Sequence, residues 1–334
     1  MRCSCGARCR SARRRGGRWQ WPSGRRITCR WWWTSSWRSP EPRRLATRRN
    51  LPEPARLVTR ASTRHARRVT EPWLPSPASE PIQRLARWVR EAPRILFITG
   101  AGISADSGLP TYRGVGGLYD DGGTEEGIPI EEALSGGMMQ RRPELCWKYI
   151  AQVEHACRGA APNRAHEVIA RLEREREAPG AAVVVLTQNV DGLHGAAGSR
   201  ALIEMHGNVH ELCCTACRWE QRVSDYAGLE IPPRCPECGA LVRPRVVLFD
   251  EMLPGPALAR LRRELEQGFD LVVTVGTTAV FPYIAAPVQL APRWGARTAE
   301  VNPGASAVSE LVDLRLNARA APTFGALAAA LGYG

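Results

Sequence analysis

Long apolar runs are missing from this 334-residue chain. Nothing in it approaches the roughly 18 consecutive apolar residues that a membrane-crossing helix needs. No apolar stretch of roughly 7 to 15 residues follows the N-terminal arginines, as a secretory signal would require. Lysine is nearly missing too: Lys148 is the one lysine among 46 basic residues, the bias of a GC-rich coding sequence. Acidic residues are scarce at one end only. Residues 1–80 hold 20 Arg and four Glu, which leaves residues 81–334 at −3 although the whole chain carries +13. The basic character therefore belongs to an N-terminal extension and not to the body. Hydrophobic residues at 44% and charged residues at 24% are ordinary globular values, and the length allows one large domain or two modest ones. A soluble, cytoplasmic protein is the expectation.

The extension carries seven of the eleven Trp and four of the eleven Cys, with no helical or strand period. Three readings compete: a basic arm for nucleic acid or an anionic membrane, an organellar transit peptide, or a segment without function. The last is favoured, because a start codon placed too early in GC-rich DNA yields such Arg/Trp/Pro text. Residues 1–78 are accordingly expected to be disordered or spurious.

From Ser79 the character changes. Ile82, Leu85, Ala86 and Val89 recur at i, i+3, i+4 and i+7 after Pro81, the stripe of an amphipathic helix. Apolar runs of strand length follow at 94–99, 182–187, 270–275 and 297–301. None alternates, which suits strands of a parallel sheet covered on both faces. Helix-period stretches lie between them, among them Ala165, Val168, Ile169 and Leu172, and Leu258, Leu261 and Leu265. This alternation predicts an α/β fold, an open doubly wound parallel sheet with right-handed crossovers. Two segments interrupt the pattern: 115–161, rich in Gly, Met and mixed charge, reads as a helical insertion, and 207–242 as a small cysteine module. The sheet is thereby assigned to about 79–114, 162–206 and 243–334.

Gly100-Ala101-Gly102 follows the first strand, as in a turn that lets a pyrophosphate approach backbone N–H groups. The next glycine falls at 108, not three residues after Gly102, so the fingerprint alone is weak and a plain βα turn that binds nothing stays open as the lesser reading. Arg113 offers a fork of donors that suits a phosphate or solvent. The cysteines are more specific. Cys214-x-x-Cys217 and Cys235-x-x-Cys238, with 17 residues between the pairs, have the spacing of a four-cysteine zinc site. Four protein ligands leave no open position, so the zinc is structural, and Cys213 falls outside the spacing. Among the histidines, His194, His206 and His210 stand near other polar groups, and spacing does not choose a general base among them. Gln188, Asn189 and Asp191 follow one strand, Thr277 and Thr278 another, and Asn302 a third, so polar groups converge on the rim where open α/β sheets bind ligands.

Taken together, Gly100-Ala-Gly-Ile-Ser-Ala-Asp-Ser-Gly-Leu-Pro-Thr-Tyr-Arg-Gly114, Thr187-Gln-Asn-Val-Asp-Gly-Leu-His194, His206-Gly207, the two cysteine pairs, Arg243-Pro-Arg-Val-Val-Leu-Phe249, Gly276-Thr-Thr278 and Val301-Asn302-Pro303 resemble the sirtuins, bacterial-type. These are NAD-dependent protein lysine deacylases, and the resemblance covers about residues 82–333. It implies a Rossmann-like domain, a small zinc-ribbon domain and a cleft between them for NAD and an acyl-lysine peptide. NAD is consumed as a co-substrate, and nicotinamide, free lysine and O-acyl-ADP-ribose are released. By resemblance His206 is the general base that activates a ribose hydroxyl, with Asn189 orienting ribose or water. The same resemblance gives Gly100, Ala101, Gly102, Ser104, Arg113, Gln188, Gly276, Thr277, Thr278 and Asn302 to NAD, and Ile103, Asn189 and Asp191 to its nicotinamide pocket. Tyr112 stands where the family shields the sugar with Phe. Val246, Val247 and Phe249 would lie on the strand to which the substrate backbone adds.

Two departures bear on specificity. Asp250-Glu251 replaces the usual Gly-Glu. Thr111 resembles the branch that removes acidic acyl groups, which recognises the acyl carboxylate by a Tyr-x-x-Arg pair. The nearest candidate here, Tyr149-Ile-Ala-Gln152, keeps the tyrosine and loses the arginine's charged fork. Deacetylation is therefore expected, with desuccinylation weak or absent. The partners expected are acyl-lysine proteins, with no specific nucleic acid and no membrane, and the chain is expected to be a monomer. The alternatives are an ADP-ribosyltransferase using the same cleft, a zinc-ribbon module for nucleic acid, and an ordinary dehydrogenase. The last would usually carry an acidic residue about 20 positions after the glycine turn at the end of a second strand, and here Asp120 and Asp121 follow a Gly-rich loop instead.

Overall fold

The structure, a computed structural model, describes residues 74–110, 124–176 and 178–333, and elements are numbered within these. The expectations for residues 1–73 and for Thr111, Tyr112 and Arg113 lie outside the described residues. Helix α1 (Glu80–Glu91) has Pro81 in its first turn, where the missing N–H has no intrahelical partner to lose. Its expected stripe, Ile82, Leu85, Ala86 and Val89, is buried, together with Trp88. Strand β1 (Arg94–Thr99) then enters the sheet, followed by α2 (Ala101–Ser104). Helices α3 (Ile130–Ala133), α4 (Gly136–Arg141), α5 (Pro143–Cys157) and α6 (Arg164–Arg174) precede β2 (Ala182–Thr187). After α7 (Leu193–Ala196) come β3 (Leu202–Glu204), β4 (Gly207–Cys214), β5 (Glu220–Arg222) and β6 (Val242–Val246). The chain closes with α8 (Gly255–Gln267), β7 (Leu271–Val275), α9 (Pro282–Trp294), β8 (Arg297–Val301), β9 (Leu314–Leu316) and α10 (Ala320–Leu331).

Six of these strands form one parallel sheet in the order β3-β2-β1-β7-β8-β9. The expected strands are all present, and their lack of alternation has the expected cause. Ile95, Phe97, Val183, Val185, Leu271 and Val273 face α1, α6 and α10, while Leu96, Ile98, Val184, Leu186 and Val272 face α8 and α9. Each such side chain contributes about 1.5–3 kcal/mol by leaving water, so the sheet is held from both faces. Of the expected α8 stripe only Leu261 is buried, and Leu258 is exposed. The strand order runs outward in both directions from β1 and β7, which makes the gap between their C-terminal ends a topological switch point.

The three remaining strands form an antiparallel sheet, β5-β4-β6. Strand β6 thus differs from the assignment of residues 243 onward to the large sheet: Val242–Val246 pairs with β4, and the parallel sheet resumes only at β7. The reason lies in packing. Val242, Val209 and Leu212 share an apolar cluster with Trp147, Tyr149 and Ile150 of α5, and Trp147 Nε1 donates to the Val242 carbonyl at 3.0 Å. The helical insertion and the cysteine module, separate in sequence, therefore close over one common core.

Candidate active site

The turns after β1 and β7 meet at the switch point. Gly102 N–H donates to the Gly276 carbonyl at 2.8 Å. A Cβ on Gly102 would lie 2.7 Å from Gly276 Cα, and Gly276 itself has φ +57°, so neither position admits a side chain. Ile103 and Ser104 are buried immediately beyond. The loop after β2 reaches across to them: Asn189 Nδ2 donates to the Gly100 carbonyl and to Ser104 Oγ, each at 3.1 Å, and Ser104 Oγ donates to Asp191 Oδ2 at 2.7 Å. Asp191 Oδ1 in turn accepts the N–H of Leu193 at 2.9 Å. Gln188 Nε2 donates to Thr277 Oγ1 at 2.8 Å, and Asn302 Nδ2 to the Thr277 carbonyl at 3.0 Å. Thr278 is exposed, and its carbonyl accepts the Ala307 N–H at 2.9 Å. Residues expected at this rim from four strand ends are thus linked to one another, with backbone N–H groups and short polar side chains where a pyrophosphate and two riboses need donors and acceptors.

The three histidines separate by environment. His194 is 2% exposed, bonds Thr99 Oγ1 at 2.9 Å and meets the His166 ring edge-on at 4.8 Å. Burial pushes its pKa well down, and the neighbouring His166 adds to that. It is a neutral core residue behind the loop, tied through Thr99 to Thr187, whose Oγ1 accepts the Asn189 N–H at 3.1 Å. His210 lies on β4, outside the switch point. His206 sits between β3 and β4, where the two sheets join, and is half-buried. Burial lowers its pKa, opposed by the backbone carbonyl of Gln188, so it is neutral near pH 7. Two aromatic residues that sequence reasoning missed stand beside it. Phe281 meets its ring edge-on at 6.0 Å, and Tyr283 Oη lies 2.5 Å from Nε2. No motif marked them: they flank Pro282 at the start of α9, and only the placement of α9 brings them to the switch point.

The substrate strip is partly spoken for. Val247 N–H donates to the His206 carbonyl, Leu248 N–H to Glu251 Oε2 and Phe249 N–H to the Leu134 carbonyl, each at 2.9 Å. Val246 is the last residue of β6, and the Phe249 ring is 38% exposed. Asp250, where the family has Gly, keeps the left-handed backbone at φ +67°. Its carboxylate accepts the N–H groups of Gly136 at 2.9 Å and Gly137 at 3.3 Å, capping α4. Tyr149 is 2% exposed, and its hydroxyl bonds Glu126 and accepts the Glu125 N–H.

The four paired cysteines come together, with all four Sγ atoms within 4.8 Å of one another and two of the distances at 3.5 Å. A tetrahedral zinc with Zn–S near 2.3 Å places its sulfurs about 3.8 Å apart, so the set fits the ion. The surroundings fit its charge as well. Ala216 and Cys217 N–H groups point at Cys214 Sγ, at 3.3 and 3.4 Å, and Trp219 N–H points at Cys217 Sγ at 3.4 Å. The Ala216 N–H in particular pulls the Cys214 thiol down to about 6. Cys213 stands outside the cluster, and every cysteine among the described residues is free of disulfides.

A switch-point crevice with two glycine turns, a polar rim and a four-cysteine module defines a class of NAD-using α/β proteins, and the comparisons name it. The Sir2 family model matches residues 100–282. The chain is 53% identical over 243 residues to "NAD-dependent protein deacylase 2" of Pseudomonas aeruginosa, covering 72% of this chain and 93% of that one. Among solved structures, a Sir2 homologue in complex with ADP-ribose superimposes with a TM-score of 0.66 at 34% identity, over 75% of this chain and 96% of that one. A Sir2 homologue bound to NAD does so with 0.64 at 33%, over 74% and 93%. The chain belongs to the Sir2 family.

Proposed function

We propose that this protein is an NAD-dependent protein lysine deacylase that acts first on acetyl-lysine. The observation that carries the reading is the placement of His206, half-buried and neutral beside Phe281, at the backbone of Gln188, whose side chain joins the polar rim at Thr277. Bound NAD supplies an electrophilic ribose carbon with nicotinamide as its leaving group. The chain's residues do the rest. Gly100, Ala101 and Gly102 present backbone to the phosphates, and Ser104, Gln188, Thr277, Thr278 and Asn302 hold the riboses and adenine end, with Gly276 giving them room. Ile103, Asn189 and Asp191 form the nicotinamide pocket, in which Asp191 accepts from the carboxamide. His206 Nε2 takes the proton of a ribose hydroxyl. Arg113 and Tyr112 remain part of the proposal through the family motif alone.

Val246, Val247 and Phe249 form the substrate strip. The N–H groups of Val247, Leu248 and Phe249 and the carbonyls of Val246, Leu248 and Phe249 are all engaged within the chain, so contact there falls to the Val247 carbonyl and the exposed Phe249 ring. Acetyl-lysine is favoured over succinyl-lysine because the Tyr149 hydroxyl is already held by Glu126 and because Gln152 carries no charge to pair with an acyl carboxylate. Among the described residues no helix is long and apolar enough to cross a membrane. A cytoplasmic monomer remains the reading, the free cysteines supporting the compartment, and the −3 charge of residues 81–334 supports the lack of specific nucleic-acid binding. The test is mass spectrometry of acetyl- and succinyl-lysine peptides incubated with the protein, with and without NAD, beside His206→Ala. NAD-dependent loss of acetyl that vanishes in the variant supports the reading. ADP-ribose attached to protein, with acyl groups intact, would move the assignment to a transferase.

A further inference from the structure

The start of α9 carries an arrangement that the proposed chemistry does not call for. Phe281 and Tyr283 stack on each other with ring centroids 5.6 Å apart and planes 14° from parallel. Both meet the His206 ring edge-on, at 6.0 and 6.1 Å. The stack leaves Phe281 at the mouth, 42% exposed, and aims the Tyr283 hydroxyl inward at Nε2, 2.5 Å away. Two polar groups bear on the imidazole. The Gln188 carbonyl, from the loop after β2, favours a proton on the ring, and the Tyr283 hydroxyl sits at Nε2. Phe281 offers only a ring edge, and among the described residues no charged side chain acts on the ring.

If the Gln188 carbonyl accepts from the ring, the neutral imidazole carries its hydrogen on Nδ1 and its lone pair on Nε2, so the phenol donates and the imidazole accepts. The phenol keeps its proton at any working pH, since burial pushes it up to about 12. The lone pair that the proposed base needs is therefore already occupied in the protein without substrate.

Resting on the reading of His206 as general base, we infer that Tyr283 is a positioning residue that caps His206 Nε2. The cap holds the ring neutral and aimed into the cleft until a substrate hydroxyl takes the phenol's place. Because the rings stack in parallel, the hydroxyl can leave Nε2 by a small rotation of the Tyr283 side chain along the Phe281 face. Nothing covalent changes in the exchange: one O–H···N bond is replaced by another, and the proton moves only from the substrate hydroxyl.

Tyr283→Phe keeps the stack and removes only the donor. A donor to Nε2 favours the neutral ring, so its loss raises the His206 pKa, by about 0.5 to 1 on the pH scale, the size of an ordinary net hydrogen bond. The measurement is an NMR titration of histidine-labelled full-length protein without NAD, with the His206 signal assigned by its absence in His206→Asn. In Tyr283→Phe the His206 midpoint is expected to rise by that amount. The acid limb of kcat/KM is expected to move up with it, and the alkaline plateau to rise about two- to fivefold, since no cap has to be displaced. Tyr283→Ala, which removes the stack as well, should raise the midpoint less, because water then enters and supplies a donor. An unmoved or lowered midpoint in Tyr283→Phe overturns the inference. So does a plateau that falls while the midpoint rises, which would make the phenol part of the proton path and not a cap. The titration needs no turnover, so a failure of the deacylase reading appears separately, as missing NAD-dependent acyl loss in the unaltered protein.

Discussion

The parallel sheet and the cysteine module solve the same problem, fixing polar groups in place, by different means. In the sheet, four strands of five or six residues are buried on both faces or nearly so, and the rim residues inherit their positions from strands that have nowhere else to go. The module has no comparable interior. All three residues of β5 are exposed, Cys238 is exposed, and the apolar support comes from one side only, through Trp147, Tyr226 and their neighbours. A region that cannot bury enough surface needs a cross-link, and four thiolates around one ion provide it. The two regions should therefore fail separately.

Removing the metal is the strongest way to test that difference. Structural zinc contributes on the order of 10 kcal/mol of apparent folding free energy to small sites that depend on it. A strong chelator at pH 7 is expected to strip about one zinc per chain by elemental analysis, and to abolish protection of the β4 and β5 amides in hydrogen exchange. The amides of β1, β2 and β7 should stay protected. Cys235→Ser should give the same pattern without chelator. Simultaneous loss of protection in both sheets would show that the module is a structural part of the large domain.

Chemistry, by contrast, should fail while both regions stand. His206→Ala is expected to lower kcat/KM for an acetyl-lysine peptide by about 10²- to 10⁴-fold, the usual worth of a general base, with an unchanged melting midpoint. The pH dependence has a definite sign. The base must be neutral, and burial holds the His206 pKa below its ordinary value, so activity is at its plateau at pH 7 and declines as the pH falls below that lowered pKa. A decline that begins above pH 7 would contradict the burial of the ring.

Within the sheet region, the glycine turns should be less forgiving than any side chain that binds from them. Gly276→Ala would place a Cβ 2.4 Å from the Gly102 carbonyl carbon and the Ile103 nitrogen, in a backbone conformation with φ +57°. Overpacking against backbone and the left-handed strain together cost about 2–4 kcal/mol. Chemical denaturation should read that loss, and NAD binding by calorimetry should weaken with it. Thr277→Ala, which removes one hydroxyl, should weaken NAD binding with a smaller loss of stability.

What the sequence made legible follows the same divide. Strands β1, β2 and β7 were readable because runs of Val, Ile and Leu are what a doubly covered sheet requires, whereas β8 carries Thr and Glu within its five residues. The cysteines were readable because a tetrahedral ion fixes their spacing. Strands β3 and β9, three residues each, carry no period that a short window can resolve. Placing residue 243 in the large sheet failed for a related reason. Val242–Val246 contains Arg-Pro-Arg, and which sheet it joins is decided by its partner β4 and by Trp147, far off in sequence. At the site, the rim residues were marked by motifs, but no spacing chose His206 over His194. Burial separates the two: His206 is half-buried, and His194 is enclosed behind Thr99. Tyr283 was invisible because its role depends on where α9 begins relative to His206.

The smallest effect belongs to the border between the regions, at Asp250. This residue does two opposed things. Its carboxylate adds to the α4 cap, in which Ser135 Oγ accepts the Met138 N–H, by accepting from Gly136 and Gly137, and Ala in its place would cost about 0.5–2 kcal/mol. Its backbone, at φ +67°, is strained by about 1 kcal/mol relative to glycine. Asp250→Ala loses the cap and keeps the strain, so it should be destabilised by about 1–2 kcal/mol. Asp250→Gly loses the cap and relieves the strain, and should lie within about 0.5 kcal/mol of the unaltered protein by urea denaturation. If glycine were as damaging as alanine, the cap alone would matter. Residue 250 would then be tying α4 to the end of the substrate strip, and kcat/KM for acetyl-lysine peptides should fall in both variants alike.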